Sequence, residues 1–306
     1  MNACCFWLQK LKALKPNIAH AKGVGHARFA PQKPLLLLCL IDLADSGELS
    51  SPLLSKTPEL RLRFDSYWSI VQPRWGGRPG FDLPFHHLST QGFWRALDAS
   101  GGPSASADTT RQIALDPGFH ACLLDRAFRL DARLVLIRTW FPDNEANALL
   151  IALGISKADI RKFDFKLRDA TPEYAAKGRD ARFRITVVTQ YRFTCALTGY
   201  GTHAKRGSTL VEAAHIHAFS QSRNDQPDNG LALSRDAHWM FDEHLWTVDD
   251  QFRVLVAREV FTEWGPEAYW LKRRHLQPLV FMDGVTLRPS SENLARHFRD
   301  FSANAV

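Results

Sequence analysis

Between Val211 and His244 the chain reads V-E-A-A-H-I-H-A-F, then S-Q-S-R-N-D-Q-P-D-N-G, then L-A-L-S-R-D-A-H-W-M-F-D-E-H. This stretch constrains the fold more than any other. The apolar run V-E-A-A-H-I has the length of one short strand, and it carries His215. The polar residues after it (Asn, Gln, Pro, Asp, Gly) are turn formers. Leu231 to Leu233 predicts a second short strand. Ser234 then stands where a helix N-cap belongs, with Asp236 in the first turn, where the helix dipole favours an acid. On that helix His238 and Asp242 are one turn apart and share a face. An imidazole and a carboxylate so placed can grip one divalent ion.

The order His215, Asn229, His238, with this spacing and in this sequence of elements, resembles the HNH nuclease motif. The contexts E-A-A-H-I, D-N-G-L-A-L and A-H-W-M-F-D are similar to the HNH branch of restriction-type endonucleases. The resemblance implies a ββα-metal finger that hydrolyses phosphodiester bonds with a divalent metal ion (Mg2+, Mn2+ or similar). It implies that His215 is the general base, that His238 is a metal ligand, and that Asn229 pins the loop so that His215 faces the metal. The chemistry suits the residue types. An unperturbed imidazole titrates at about pH 6.5, near the pH at which a water must be activated. The metal would neutralise the scissile phosphate and the leaving oxygen. The chain departs from the family at Ala214, where many such fingers carry a further ligand. Asp242 is expected to take over, with Glu212 as the weaker candidate. A regular strand points Glu212 away from the face of His215, so its participation is expected to need a bulge.

The other conspicuous basic and histidine residues have bland readings. His217 shares a strand face with His215, where substrate contact is the alternative; His244 falls off the His238 face; and His203 sits in a loop with Lys205 and Arg206, where phosphate contact is the alternative. The run Lys272, Arg273, Arg274, His275 reads equally well as a phosphate clamp and as a solvated surface.

Composition bounds the partners. Thirty-nine Lys and Arg against 32 Asp and Glu leave a net charge of +7, a modest excess that suits a polyanion. The 306 residues suggest two domains, and 45% hydrophobic content lets both bury cores. The five cysteines are scattered with no C-x-x-C pair. That argues against a disulfide framework or a zinc ribbon and predicts a reducing, cytoplasmic setting. Cys195 is expected to be a small buried residue. The N-terminus lacks the pattern of a signal peptide, and the longest apolar run, Pro34 to Ile41, is too short to span a bilayer, so no membrane partner is expected.

The first half predicts mainly helices. Phe6 to Leu14 has amphipathic spacing, and Pro34 opens a buried helix that Gly47 ends. A further helix is expected within Leu53 to Ile70, and helices again from Ile113 to Phe141. His20 to Gln32 reads as a mobile basic loop. The segment P-R-W-G-G-R-P-G-F-D-L-P-F-H-H-L-S-T-Q reads as a long irregular loop, leading to a strand at Gly92 to Leu97. The run A-S-G-G-P-S-A-S-A-D-T-T reads as a flexible exposed loop, and Arg168 to Arg182 as a charged connector. Leu245 to Val256 alternates like a hairpin, and a last helix closes the chain. The expected class is α+β: a mainly helical domain at 1–165, then a linker and ββα-metal finger domain at 166–306.

The pair K-P-L-L-L-L-C-L-I-D-L and L-P-F-H-H-L-S-T-Q-G-F-W resembles the sulfur-binding domain of phosphorothioate-dependent type IV restriction endonucleases, which join that helical domain to a C-terminal HNH module. Family members often carry an aromatic where this chain has Leu83. The resemblance implies that double-stranded DNA bearing a phosphorothioate is the partner. Sulfur in place of a non-bridging oxygen is larger, softer and poorly hydrated, so an apolar cup favours it. Leu83, Pro84 and the rings of His86 or His87 could form the cup, with Lys33, Arg74 and Arg78 supplying charge. Two other readings stand beside this one. The first is an HNH restriction enzyme reading a methylated base or unmodified sequence, for which Trp75 and Trp94 are the aromatics at hand. The second is a DNA-binding module with a degenerate finger. Cutting both strands needs two active sites or two events, so a homodimer is one arrangement.

Overall fold

The computed structural model of the chain describes residues 3–17, 29–156, 159, 171–266 and 268–304. Helices dominate and the strands are short, in the α+β class that the sequence predicts. The chain divides into two compact units, Met1–Arg182 with Lys205–Gly207, and Phe183–Ala204 with Ser208–Val306. The expected boundary at 165–166 lies outside the described residues, as do residues 20–28 of the basic loop expected at His20 to Gln32; Gln32 itself opens a helix.

The first unit is built around a helix that is apolar on every side. After α1 (Ala3–Lys12), α2 (Gln32–Asp45) buries every residue from Pro34 to Ile41. A helix hydrophobic all round belongs inside a core. Pro34 is tolerated because it sits in the first turn, where its missing N–H is not needed. The segment after α2 corrects an expectation. Leu53–Ser55 is a strand, β1, and the helix α3 begins only at Pro58 and runs to Trp75. Thr57 caps it by accepting from the Leu60 N–H, and Pro58 occupies the first turn. These two residues reset the element where hydrophobicity alone ran on.

A second correction concerns the segment expected to be irregular. Asp82–His87 is a short helix, α4, followed by a 3-10 turn at Leu88–Gln91. Phe81, Phe85 and Leu88 fall on one face and are all buried, and Pro84 again lies in the first turn. A three-stranded antiparallel sheet then forms in the order β1-β3-β2, with β2 at Trp94–Leu97 and β3 at Gln112–Leu115. The latter takes residues expected to be helical. The run between β2 and β3 is knit rather than loose. Asp98 accepts from the backbone of Ser100 and Gly102, and Ser104, Ser106, Thr109 and Thr110 bond among themselves. Short hydroxyl and carboxyl side chains make such local closures readily. The unit continues with α5 (Pro117–Leu123), α6 (Arg126–Trp140), α7 (Asp143–Ala152) and the first half of α8 (Pro172–Gln190), where a charged connector was expected.

In the second unit β4 (Val211–His215) pairs antiparallel with β5 (Gly230–Ser234), in unbroken register from Val211 opposite Ser234 to His215 opposite Gly230. The loop between them holds a one-turn helix, α9 (Phe219–Ser222), and a 3-10 turn at Pro227–Asn229. Helix α10 (Arg235–Asp242) follows, then the hairpin β6 (Trp246–Val248) and β7 (Val254–Val256), and finally α11 (Ser291–Asn304). His297 of α11 is buried, stacked flat on Phe241 at 3.7 Å. It is bonded to the Phe241 carbonyl and the Thr247 hydroxyl. Cys195 is buried as expected, with the Ser234 hydroxyl 3.7 Å from its sulfur, and Ser234 makes no side-chain cap. No helix among the described residues is long and apolar enough to cross a membrane.

Candidate functional site

His215 ends β4, and its ring is held on two sides. It lies flat against Phe183 of α8, with ring centroids 3.9 Å apart and planes 8° apart. Its Nε2 is 3.1 Å from Oδ1 of Asp225 in the loop between the strands. The stacking depends on a close approach of helix to hairpin. A Cβ on Gly230, directly across from His215, would stand 2.5 Å from Val187 and 2.9 Å from Phe183, so only glycine fits there. Neither Asp225 nor Phe183 was among the residues expected to matter. Asp225 stands in a run of turn formers where an acid is unremarkable, and Phe183 lies on a helix remote in sequence.

Asn229 is fully buried and bonded at both ends of its amide. Its Oδ1 accepts from the His217 N–H at 2.9 Å, and its Nδ2 donates to the carbonyls of His217 and Asn224 at 3.0 and 2.9 Å. Its own carbonyl accepts from the Ile216 N–H. The strand end just beyond His215 is thereby stapled to the loop.

On α10, His238 lies between two carboxylates. Its Nδ1 is 2.9 Å from Oε1 of Glu212, and its Nε2 is 3.4 Å from Oδ2 of Asp242. The expectation that Glu212 needs a bulge is corrected. The register of β4 is regular, and Glu212 reaches His238 of α10, which packs against β4 and β5, without a bulge. Ala214 is fully buried and offers no donor. Loss of hydration raises the pKa of Asp242, against the opposing pull of His238 and His244. Among the described residues no three His, Cys, Asp or Glu side chains converge as a ready metal cage.

The donor chemistry nevertheless fits a divalent ion. A carboxylate is an acceptor, so when the ring is neutral and Glu212 takes the Nδ1 proton, the Nε2 lone pair faces the Asp242 oxygen. Two lone pairs at that range are favourable only with a proton or a cation between them. An imidazole nitrogen and a carboxylate oxygen 3.4 Å apart are donors of the kind that hold a divalent ion. Glu212 then serves as the outer partner that fixes the ring. Trp239, next to His238, is exposed. His244, expected at the surface, is half-buried and lies 5.0 Å from the His297 ring.

The first unit holds a cavity of about 500 Å³ lined by Lys33, Trp75, Leu83, Pro84 and His87, with Ala30, Gln32 and others around them. Four residues expected to act together are thus brought together. Pro84 is buried, whereas Leu83 and His87 are exposed. Lys33 donates to the Lys15 carbonyl at 2.7 Å, and burial lowers its pKa. Three other expected residues are not part of this lining among the described residues. His86 turns away to Thr110, with Nδ1 2.8 Å from its hydroxyl. Arg78 is exposed elsewhere. Arg74 grips the buried Glu145 with two nitrogens at 2.7 and 2.9 Å and donates to the Phe29 carbonyl, so its charge is committed inside the fold. Of the two tryptophans, Trp75 lines the cavity, while Trp94 is buried and donates to the Phe85 carbonyl.

The basic run in the second unit is divided in a similar way. Arg274 donates to the Pro278 carbonyl, His275 accepts from the Val256 N–H, and Lys272 lies over the Phe261 ring. Arg273 is exposed.

Residues 195–249 match the HNH endonuclease family. That interval contains β4, the loop, β5, α10 and β6, together with His215, Asn229 and His238. The chain therefore carries an HNH endonuclease domain over these residues. Among curated proteins none matches the chain. Among solved structures it is similar to a modification-dependent TagI restriction endonuclease, at 17% identity and a TM-score of 0.33. The matched part covers 44% of this chain and 44% of that one.

Proposed function

We propose that the chain is a restriction endonuclease that recognises phosphorothioate-modified double-stranded DNA with residues 1–165 and cleaves it with the finger in residues 166–306. The observation that carries the sulfur reading is the cavity of the first unit. Among the described residues its lining sets Leu83, Pro84, Trp75, Pro16 and Ala30 beside Lys33, with Asn17, Gln32 and Thr90 also in the wall. A phosphate oxygen entering such a cup would lose hydration with little in return, whereas sulfur loses less and still carries charge for Lys33. His87 replaces His86 as the ring at the rim, and neither Arg74 nor Arg78 is needed for the cup.

In the finger, His215 takes the proton of the attacking water. Asn229 holds the strand end in place, and Glu212 orients His238. His238 and Asp242 would hold the divalent ion, Mg2+ or Mn2+, leaving other positions for water and phosphate. When bound, that ion would neutralise the scissile phosphate and stabilise the leaving oxygen. The chain is placed in the cytoplasm, where its five free thiols stay reduced and restriction acts.

The test is cleavage of paired duplexes differing by one sulfur, with Mg2+ or Mn2+ added. Cutting of the modified duplex alone is the expected result. Equal cutting of both overturns the sulfur reading and leaves a methylated base or unmodified sequence as the target. Failure to cut either, or any methylated duplex, would mean a finger that binds without catalysis.

A further inference from the structure

We propose that Asp225 is a positioning residue of the cleavage reaction, acting through His215 by deciding which ring nitrogen is basic. The inference rests on the nuclease reading of the finger and adds a residue and an atom to it. The Asp225 Oδ1 to His215 Nε2 distance is 3.1 Å, and the two side chains retain only 14% and 19% of their exposure. An ionised carboxylate can only accept, so the proton of the neutral ring sits on Nε2 and the lone pair on Nδ1. The ring cannot readily turn over, because Phe183 lies parallel to it at 3.9 Å and Phe219 stands 5.7 Å away on a tilt.

The loop that carries Asp225 is itself held. Asn224 donates its N–H to the Ser222 hydroxyl, and its carbonyl accepts from Asn229 Nδ2. Its side chain accepts from the Gln226 N–H, and the Gln226 carbonyl accepts from the Asn229 N–H. The backbone on both sides of Asp225 is thus tied to Asn229. The buried asparagine therefore positions the acid as well as the strand end.

Nδ1 is then the atom that receives the proton of the attacking water. The water oxygen bonds to phosphorus, the bond from phosphorus to the leaving oxygen breaks, and that oxygen keeps the electron pair until solvent protonates it. As Nδ1 is protonated the ring becomes an imidazolium facing the Asp225 carboxylate, which stabilises it. Replacing the acid by its amide preserves shape and reverses the logic. An amide NH2 aimed at Nε2 favours the tautomer with the proton on Nδ1, which cannot accept another.

Three measurements test this in the full-length protein. Long-range proton–nitrogen NMR of the histidine rings should find His215 protonated on Nε2 in the wild type and redistributed toward Nδ1 in Asp225→Asn. Cleavage of duplex DNA should slow by about 10²- to 10⁴-fold in Asp225→Asn, with DNA affinity held within about two-fold. In a His215→Ala background the same change should alter the residual rate by less than about three-fold, because a residue acting through His215 has nothing left to act on. A wild-type ring protonated on Nδ1, or an equal loss in the His215→Ala background, overturns the proposal. A protein that cuts no DNA but shows the expected tautomer pattern would sink the nuclease reading and leave the pairing intact, so the two failures are distinguishable.

Discussion

The finger and the cavity are built in opposite ways. In the finger, the residues that matter lie within a few turns of one another along the chain, on a hairpin and the helix that follows it. Their spacing translates almost directly into geometry, since strands alternate and helices repeat every turn. In the cavity, Lys33 comes from α2, Trp75 from the end of α3, and Leu83, Pro84 and His87 from α4. Nothing local relates the three helices, so which of the nearby basic and aromatic residues takes part is decided by packing. The comparison teaches that a short motif announces chemistry more faithfully than a dispersed pocket announces its ligand.

The largest effect that would sharpen this contrast is on cleavage alone. His215→Ala should lower the cleavage rate by about 10²- to 10⁴-fold, the range for removing a general base, while gel-shift affinity stays within about two-fold. Equal loss of binding and cutting would erase the division between the two sites.

Acid should reveal the finger from another side. His297 is buried behind α10, and burial holds its pKa down to about 4. The unfolded chain takes up this proton near pH 6.5, so the unfolded state binds more protons between those values and stability rises with pH across them. Conversely, lowering the pH from 6.5 to about 4 should cost the second unit about 3 kcal/mol through this group, a loss complete only below the folded value. His297→Gln should flatten that part of a urea-denaturation profile taken against pH. An unchanged profile would mean that the ring is hydrated in solution.

Pro84→Asp strikes the cavity alone. It should reduce the preference for phosphorothioate over plain DNA to within about two-fold in a competition binding assay, since an acid repels either phosphate and removes the apolar cup. If the preference survives, the sulfur is read elsewhere. The smallest effect is expected of Arg273→Ala. It should weaken binding of both duplexes alike and lower the slope of log affinity against log salt by about one, as the loss of a single phosphate contact does. A selective effect on modified DNA would instead place Arg273 in the reader.

Much of the architecture is legible in the residues. The buried helix after Pro34, the two short strands of the finger, its helix and the following hairpin are all predicted by apolar period and turn chemistry. The misses have local causes. Thr57-Pro58 restarts an element within a continuous apolar pattern, and Pro84 hides a helix by looking like a breaker while occupying its harmless first turn. The charge balance also overstates what is offered to DNA. Arg63 and Arg133 are buried against Asp42, and Arg74 against Glu145, so part of the basic excess stabilises the fold.

By itself, then, the sequence determined the HNH motif and the order of its His215, Asn229 and His238, because short-range spacing along strands and helices is enough to place them. It also determined that the first half would be helical around one apolar segment. Tertiary structure decided what those residues touch. It put Glu212 on His238 rather than beside His215, because the face a strand turns toward a helix is set by packing. It set Asp225 and Phe183 about His215, and it chose Lys33 and His87 over Arg74 and His86 for the cavity. Partners of this sort meet across loops and between elements distant in sequence. Their positions follow from how apolar faces close on one another, which no local pattern encodes.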